Sequence, residues 1–170
     1  MSPPAATSAC AGMRVSYRSE NRDGAKGSTT VELSSSIREF LTTQPVGHLA
    51  TADAGGVPHV VPVCFALVGD AVVIVIDEKP KRTTRLKRLR NIEQNPATAL
   101  LVDVYDADWS RLHWVMVRGP ATIEPDGAGS PAALEALRDK YPQYRAMDLA
   151  GRPLIRIQPE RVNEWHGDRR

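Results

Sequence analysis

Runs of β-branched and apolar residues, separated by turn residues, dominate the chain after residue 31. Runs bounded by Gly, Pro, Asn or Asp are typical of β-strands. They predict six strands, at residues 46–53, 57–68, 71–77, 97–105, 112–124 and 153–165. The run "AVVIVID" at 71–77 does not alternate with polar residues, so we expect that strand to be covered on both faces. Pro58 and Pro62 lack the amide proton that a ladder needs, which predicts an edge or a bulge in the second strand.

Three other segments have apolar residues at helical spacing. "SSSIREFLTTQP" at 34–45 begins with serine caps and ends at a proline, which predicts a short helix. Residues 130–142 begin with a serine cap and a proline in the first turn, which predicts a second. Leu86, Leu89 and Ile92 recur every third residue and predict a helix over 81–94.

The order of these elements indicates the fold class. The strands follow one another with few helices between them, unlike the alternation of a doubly wound fold. We therefore expect a mainly β domain, a six-stranded closed antiparallel barrel with peripheral helices. Residues 1–30 are rich in Ser, Ala, Gly, Pro and Thr, and we expect them to form a disordered extension to a single domain at 31–170.

Composition excludes several classes of protein. Apolar residues at 42% and charged residues at 25% are ordinary for a globular domain. The longest apolar stretch has about seven residues, too few to span a bilayer. The first residues lack a basic leader and an apolar core, so no signal peptide and a cytoplasmic location are expected. We predict no metal site, because the two cysteines have no metal-ligand spacing, and no catalytic residue is assigned.

A basic run interrupts this ordinary composition. "DEKPKRTTRLKRLRN" at 77–91 has seven Lys or Arg residues in fifteen positions, although the formal net charge of the chain is only +2. On the predicted helix, Lys81, Arg85 and Arg88 share one face beside the apolar stripe. Adjacent like charges repel, and a helix N-terminus attracts anions. The run therefore predicts an anion site where a strand meets a helix.

Two kinds of anion fit such a site, nucleic acid and a phosphorylated cofactor. Aromatic residues make up only 5% of the chain, and no RNA-recognition or helix-turn-helix pattern is present. These observations disfavour nucleic acid and favour a phosphorylated cofactor.

Five segments, in order, resemble the split-barrel flavin- and deazaflavin-binding family, of which the pyridoxamine 5′-phosphate oxidases are members. They are "GHLATAD", "GVPHVVPVCF", "KRLRNIEQNP", "ATALLVDVY" and "RGPATIE", between residues 46 and 165. The resemblance implies an FMN-binding type of split barrel that is homodimeric, with cofactor sites at the subunit interface. It also implies that Trp109, Trp114 or Trp165 is supplied by the partner subunit.

The resemblance also implies which residues bind the cofactor. The phosphate would contact Lys87 and Arg88, and the ring would lie along the second strand and the end of the third. The second-strand residues are Val61, Pro62 and Val63, and those of the third strand are Ile76 and Asp77. Four further cations, Lys79, Lys81, Arg82 and Arg85, would suit a ligand with several anionic groups.

Coenzyme F420 has a phosphodiester and a glutamate tail, and the basic run is similar to that of the F420-dependent branch of the family. The resemblance thus implies an F420-dependent oxidoreductase, which transfers a hydride between the deazaflavin and an unsaturated small molecule. His48, His59 and Tyr105 are candidate proton donors, and none is assigned. The alternatives are an FMN-binding oxidoreductase like the pyridoxamine 5′-phosphate oxidases, and a non-catalytic barrel that binds a cofactor or nucleic acid.

Overall fold

The computed structural model describes residues 18–19, 31–77 and 86–167. These residues form nine strands, which are β1 Arg18–Ser19, β2 Gly47–Ala52, β3 Pro58–Val63, β4 Ala66–Val68, β5 Ala71–Val75, β6 Ala97–Val104, β7 His113–Glu124, β8 Leu154–Ile157 and β9 Arg161–His166. The α-helices are α1 Ser35–Thr43, α2 Lys87–Gln94 and α3 Pro131–Lys140. Three short 3-10 helices cover Trp109–Arg111, Gly127–Gly129 and Pro142–Ala146. Within the described ranges, no helix has the length and hydrophobicity needed to cross a membrane.

All strand pairs are antiparallel, and β7 belongs to two parts of the sheet. Its first half lies between β6 and β9, in the order β3-β2-β6-β7-β9-β1. Its second half pairs with β8, which continues through β5 to β4. The mainly β, antiparallel fold class is therefore confirmed. The predicted count of six strands is wrong, and the ladders of the described residues end at β3, β4 and β1 without closing into a ring.

One extra strand arises because the predicted strand over 57–68 is broken at Phe65. The hydroxyl of Tyr141 lies 3.0 Å from the Phe65 amide nitrogen, which donates to it, and 2.9 Å from the Phe65 carbonyl oxygen. The Phe65 side chain is fully buried. A tyrosine from the segment after α3 thus replaces the ladder partners of Phe65, and the chain divides into β3 and β4.

Another extra strand arises at a bulge between β8 and β9. Ala121 pairs with Ile157 and Arg118 with Arg161, so one more residue is present on the β8–β9 side than on β7. The amide of Gln158 donates to Pro120, and that of Glu160 donates to Arg118. This bulge lies over Gly119, where a Cβ would overlap the carbonyl oxygen of Gln158.

The remaining extra strand is β1, which pairs with β9 and lies inside the extension predicted to be disordered. The other residues of 1–30 are outside the described ranges, so that domain boundary stays a prediction. The edge position of the second strand is confirmed, since β3 pairs with β2 alone in the described sheet. Helices α1 and α3 begin and end close to their predicted limits.

The helix predicted over residues 81–94 does not begin at residue 81, so that part of the prediction is wrong. Leu86 precedes α2 with φ −64° and ψ 137°, which is extended backbone. A continuous helix over 81–94 is therefore excluded, and with it the helical face that Lys81 and Arg85 would share with Arg88. Lys81 and Arg85 themselves lie outside the described residues.

The core has two parts, separated by β5. All five residues of β5 are buried, as the sequence predicts. Val72 and Ile74 face the larger cluster, which is enclosed by the sheet, α1 and α2. Val73 and Val75 face the smaller cluster beneath α3. Lys140 of α3 ties this layer to α1 by donating to the Leu41 carbonyl oxygen at 2.8 Å.

We predict that Gly119→Ala destabilises the domain by roughly 1–3 kcal/mol, because the added Cβ forces the β8–β9 bulge away from β7. Gly129→Ala is the matched control, since a Cβ there meets no atom within 4 Å and Gly129 has no positive φ. Urea unfolding of both variants measures the difference. Equal midpoints for the two variants would contradict the close approach at Gly119.

Lys140 predicts a pH dependence of stability. Burial lowers the pKa of Lys140 to about 8 from an ordinary 10.5. Between these two values the unfolded chain binds more protons than the folded one, so the free energy of unfolding rises with pH. We expect Lys140→Met to reduce the increase in stability of the wild type between pH 7.5 and 9.5, as measured by urea unfolding. An unchanged increase would show that another group causes it.

Candidate functional site

The start of α2, the end of β5 and strand β3 come together at one place. Helix α2 is held over the sheet by a buried amide, since Asn91 Nδ2 donates to Thr51 Oγ1 at 3.0 Å. Thr51 Oγ1 in turn lies 3.4 Å from the carbonyl oxygen of His59, to which it donates. Ile92 packs into the larger core cluster. These contacts fix the first turn of α2 relative to β2 and β3.

Arg88 lies in that first turn. Its Nε is buried and has no hydrogen-bond partner in the part of the chain that the structure describes. Burial lowers the pKa of Arg88, whereas Asp77 and Tyr144 raise it. Arginine remains charged at neutral pH even when its pKa is lowered. A buried cationic donor without a partner suits an anionic oxygen of a ligand, because buried donors in proteins are nearly always paired.

Asp77 and Tyr144 lie within electrostatic reach of Arg88 and are hydrogen-bonded to each other. The Tyr144 hydroxyl donates to Asp77 Oδ2 at 3.3 Å. Burial raises the pKa of Tyr144, and Cys64 and Asp77 raise it further. The phenol therefore stays protonated and donates a hydrogen bond to the carboxylate at neutral pH.

Lys87 and Arg88 also act on β3. Burial lowers the pKa of His59, and the positive charges of Lys87 and Arg88 lower it further. The imidazole is therefore neutral at pH 7. The positive charges of the basic pair therefore act on the second predicted strand.

The predicted ring-binding residues differ in what they can offer. Pro62 is exposed on the outer face of β3, and Val61 is half-buried against the core. Val63 and Ile76 are only 7% and 8% exposed, so their side chains belong to the core and their backbone alone is available. Asp77 is half-buried at the end of β5. Lys79, Lys81, Arg82 and Arg85 lie outside the described residues.

Sequence analysis missed Tyr144, Asn91 and Thr51. Tyr144 lies 67 residues from its partner Asp77, and Asn91 lies 40 residues from Thr51. No local pattern marks such pairs. The apolar spacing of α2 could have shown only that Asn91 lies next to the buried Ile92.

Comparison with known proteins supports the family resemblance. The family model described as pyridoxamine 5′-phosphate oxidase matches residues 33–166. A 5a,11a-dehydrotetracycline/5a,11a-dehydrooxytetracycline reductase of Streptomyces rimosus is 30% identical over 127 residues, which cover 74% of this chain and 78% of that protein.

Two solved structures show the same architecture. An F420 reductase is 29% identical, with a TM-score of 0.55, over 76% of this chain and 98% of that one. A conserved hypothetical protein of Mycobacterium tuberculosis is 21% identical, with a TM-score of 0.60, over 84% and 91% of the two chains, and this likeness concerns the fold alone. Since the family model spans both parts of the sheet and the start of α2, the chain belongs to the pyridoxamine 5′-phosphate oxidase-like split-barrel family of flavin-binding proteins.

Proposed function

We propose that this protein is an F420-dependent reductase, which binds the reduced coenzyme and reduces an unsaturated small molecule. The observation that carries the proposal is Arg88, a half-buried cation whose Nε has no partner among the described residues. When bound, the deazaflavin supplies a hydride from its C5. The protein's own residues bind the coenzyme, orient it and keep water away.

The start of α2 binds the phosphate in this proposal. Lys87 and Arg88 provide two cationic side chains, and the Leu86 N-cap side chain makes no capping hydrogen bond. The Leu89 amide already donates to the Leu86 carbonyl oxygen. In this proposal the amides of Lys87 and Arg88 donate to phosphate oxygens, and the helix dipole favours an anion there. The four cations just before α2 in the sequence would bind the further anionic groups of F420.

Strand β3 provides the surface for the ring. Val57, which precedes the strand, and Val60 are 52% and 59% exposed, and Pro62 is exposed beside them. An edge strand that has a partner on one side only, and that carries exposed apolar side chains, is normally covered by another group. We propose that the ring and a second subunit cover it. In such a homodimer, Trp114 and Trp165, which are paired across β7 and β9, face the interface.

The relatives support a reductase. The relative from Streptomyces rimosus is named as a reductase of dehydrotetracyclines, and the solved relative at 29% identity is named as an F420 reductase. The physiological substrate would be an electron-poor small molecule of the same chemical class. His48 and Tyr105 are exposed and His59 is half-buried, and all three stay candidate proton donors. The lowered pKa of His59 makes its protonated, donating form scarce at pH 7.

FMN is the second candidate cofactor. Its single phosphate needs only two or three donors, and Lys87 with Arg88, whose Nε has no partner among the described residues, could supply them without the rest of the basic run. This alternative is an FMN-dependent oxidoreductase of the pyridoxamine 5′-phosphate oxidase type. Direct comparison of the two cofactors separates the candidates.

We predict that Arg88→Gln weakens binding of F420 by roughly 10–100-fold, because charge-assisted hydrogen bonds to phosphate are lost. Arg90→Gln is the matched control, since Arg90 is exposed on the same short helix. Fluorescence titration measures binding, and oxidation of reduced F420 by an electron-poor enone measures turnover. Equal losses in both variants would contradict the role of Arg88. Tighter binding of FMN than of F420 by the wild type would favour the second candidate.

A second prediction concerns the cations at Lys79, Lys81, Arg82 and Arg85. Replacing all four with Gln should lower the affinity for F420 far more than the affinity for FMN, because only F420 carries anionic groups beyond one phosphate. The difference should shrink at high salt, which screens exposed charges. Titrating both cofactors at two salt concentrations measures it. An equal loss for the two cofactors would contradict a role in binding the tail.

A further inference from the structure

Three potential metal ligands lie together where β7 begins and β9 ends, away from the start of α2. His113 begins β7, and Glu164 and His166 lie near the end of β9. The register pairs His113 with His166 and Val115 with Glu164. Because side chains alternate along a strand, all three point to the same side of the sheet. Trp114 and Trp165, also paired, point to the other side.

The three side chains converge on one point. Nε2 of His113 and Nε2 of His166 each lie 3.0 Å from Oε1 of Glu164. The two imidazole rings stack with centroids 3.8 Å apart, and Phe40 of α1 packs against His113. One ligand atom from each residue falls within 4.8 Å of the other two.

These distances suit a cation. In a tetrahedral zinc site with bonds near 2.0–2.1 Å, ligand atoms are about 3.3 Å apart. The observed 3.0 Å between each imidazole nitrogen and the carboxylate oxygen requires only a small adjustment. Two imidazoles with one carboxylate are also a ligand set that late first-row divalent cations prefer.

The cluster is accessible. The side chains of His113, Glu164 and His166 are 16%, 25% and 60% exposed. They border a cavity of about 1240 Å³, which is lined by the residues before and at the start of α1, by the turn before β7 and by β9. Trp165 also lines this cavity, whereas none of the described residues of β3, α2 and the end of β5 that are proposed to bind the cofactor does.

We propose that His113, Glu164 and His166 bind one divalent transition-metal cation of the zinc class, with a fourth coordination position open to the cavity. The cation would join the ends of β7 and β9. This site is separate from the described cofactor-binding residues of β3 and α2, because none of them lines the cavity that the three ligands border.

The test uses the full chain with any affinity tag removed, made metal-free and kept reduced. Zn²⁺ is titrated in competition with a chromophoric chelator, and melting is measured with and without Zn²⁺. We expect one Zn²⁺ per chain and a higher melting temperature with the metal, since a cation that binds only the folded state stabilises it. His166→Ala and Glu164→Gln should each weaken binding by more than about 100-fold, beyond what loss of an outer-shell partner causes.

His48→Ala is the matched control. His48 Nδ1 lies 3.6 Å from Asp103 Oδ1, so it forms a similar histidine–carboxylate pair, and neither residue belongs to the three-ligand cluster. It should leave zinc affinity unchanged, as should Cys10→Ser combined with Cys64→Ser, which removes both thiols as competing ligands. The melting temperature without metal checks that His166→Ala is folded. Glu164→Gln keeps a hydrogen-bond acceptor for the two histidines, so this variant tests the loss of the carboxylate charge. Absence of saturable one-to-one binding, or equal losses in the His166 and His48 variants, would overturn the proposal.

Discussion

Strand β7 is the constraint on which the rest of the domain depends. It is hydrogen-bonded to β6 and β9 along its first half and to β8 along its second. The change of partner takes place at Gly119, where the β8–β9 bulge lies too close to the backbone for any side chain. Glycine therefore allows one strand to organise both parts of the sheet. Residues of β7 contribute to the larger core cluster, and β8, which pairs with its second half, contributes to both clusters.

The candidate cofactor site illustrates how a fold can prepare a place for an anion. A buried guanidinium nitrogen without a partner costs roughly 1–3 kcal/mol, since water is removed and no acceptor replaces it. Arg88 stays in this state because α2 is tied down by Asn91 and Ile92, which leave its first turn little freedom to move. The carboxylate of Asp77 offsets part of the positive charge of Arg88 and accepts a hydrogen bond from the Tyr144 hydroxyl. A phosphate would supply the missing acceptor in a position that the fold has already set.

Because side chains alternate along β7 and β9, the two strands present different residues on their two faces. One side carries Trp114 and Trp165, the aromatic pair proposed to face a second subunit and the cofactor. The other side carries His113, Glu164 and His166, the proposed cation ligands. Neighbouring residues in sequence thus lie on opposite surfaces.

Local sequence was enough to predict which segments after residue 45 contain strands, the double burial of β5, the edge position of β3 and the limits of α1 and α3, but not the number of strands. These features depend on residues only a few positions apart, through alternation, proline chemistry and capping. The basic pair at Lys87 and Arg88 was found by family resemblance, and its charge is a property of the sequence. Tertiary structure alone decided the rest. The break at Phe65 depends on Tyr141, 76 residues away, and the pairing of His113 with Glu164 spans 51 residues. Such contacts follow from the register between distant strands, and register is set only when the whole sheet packs around its core.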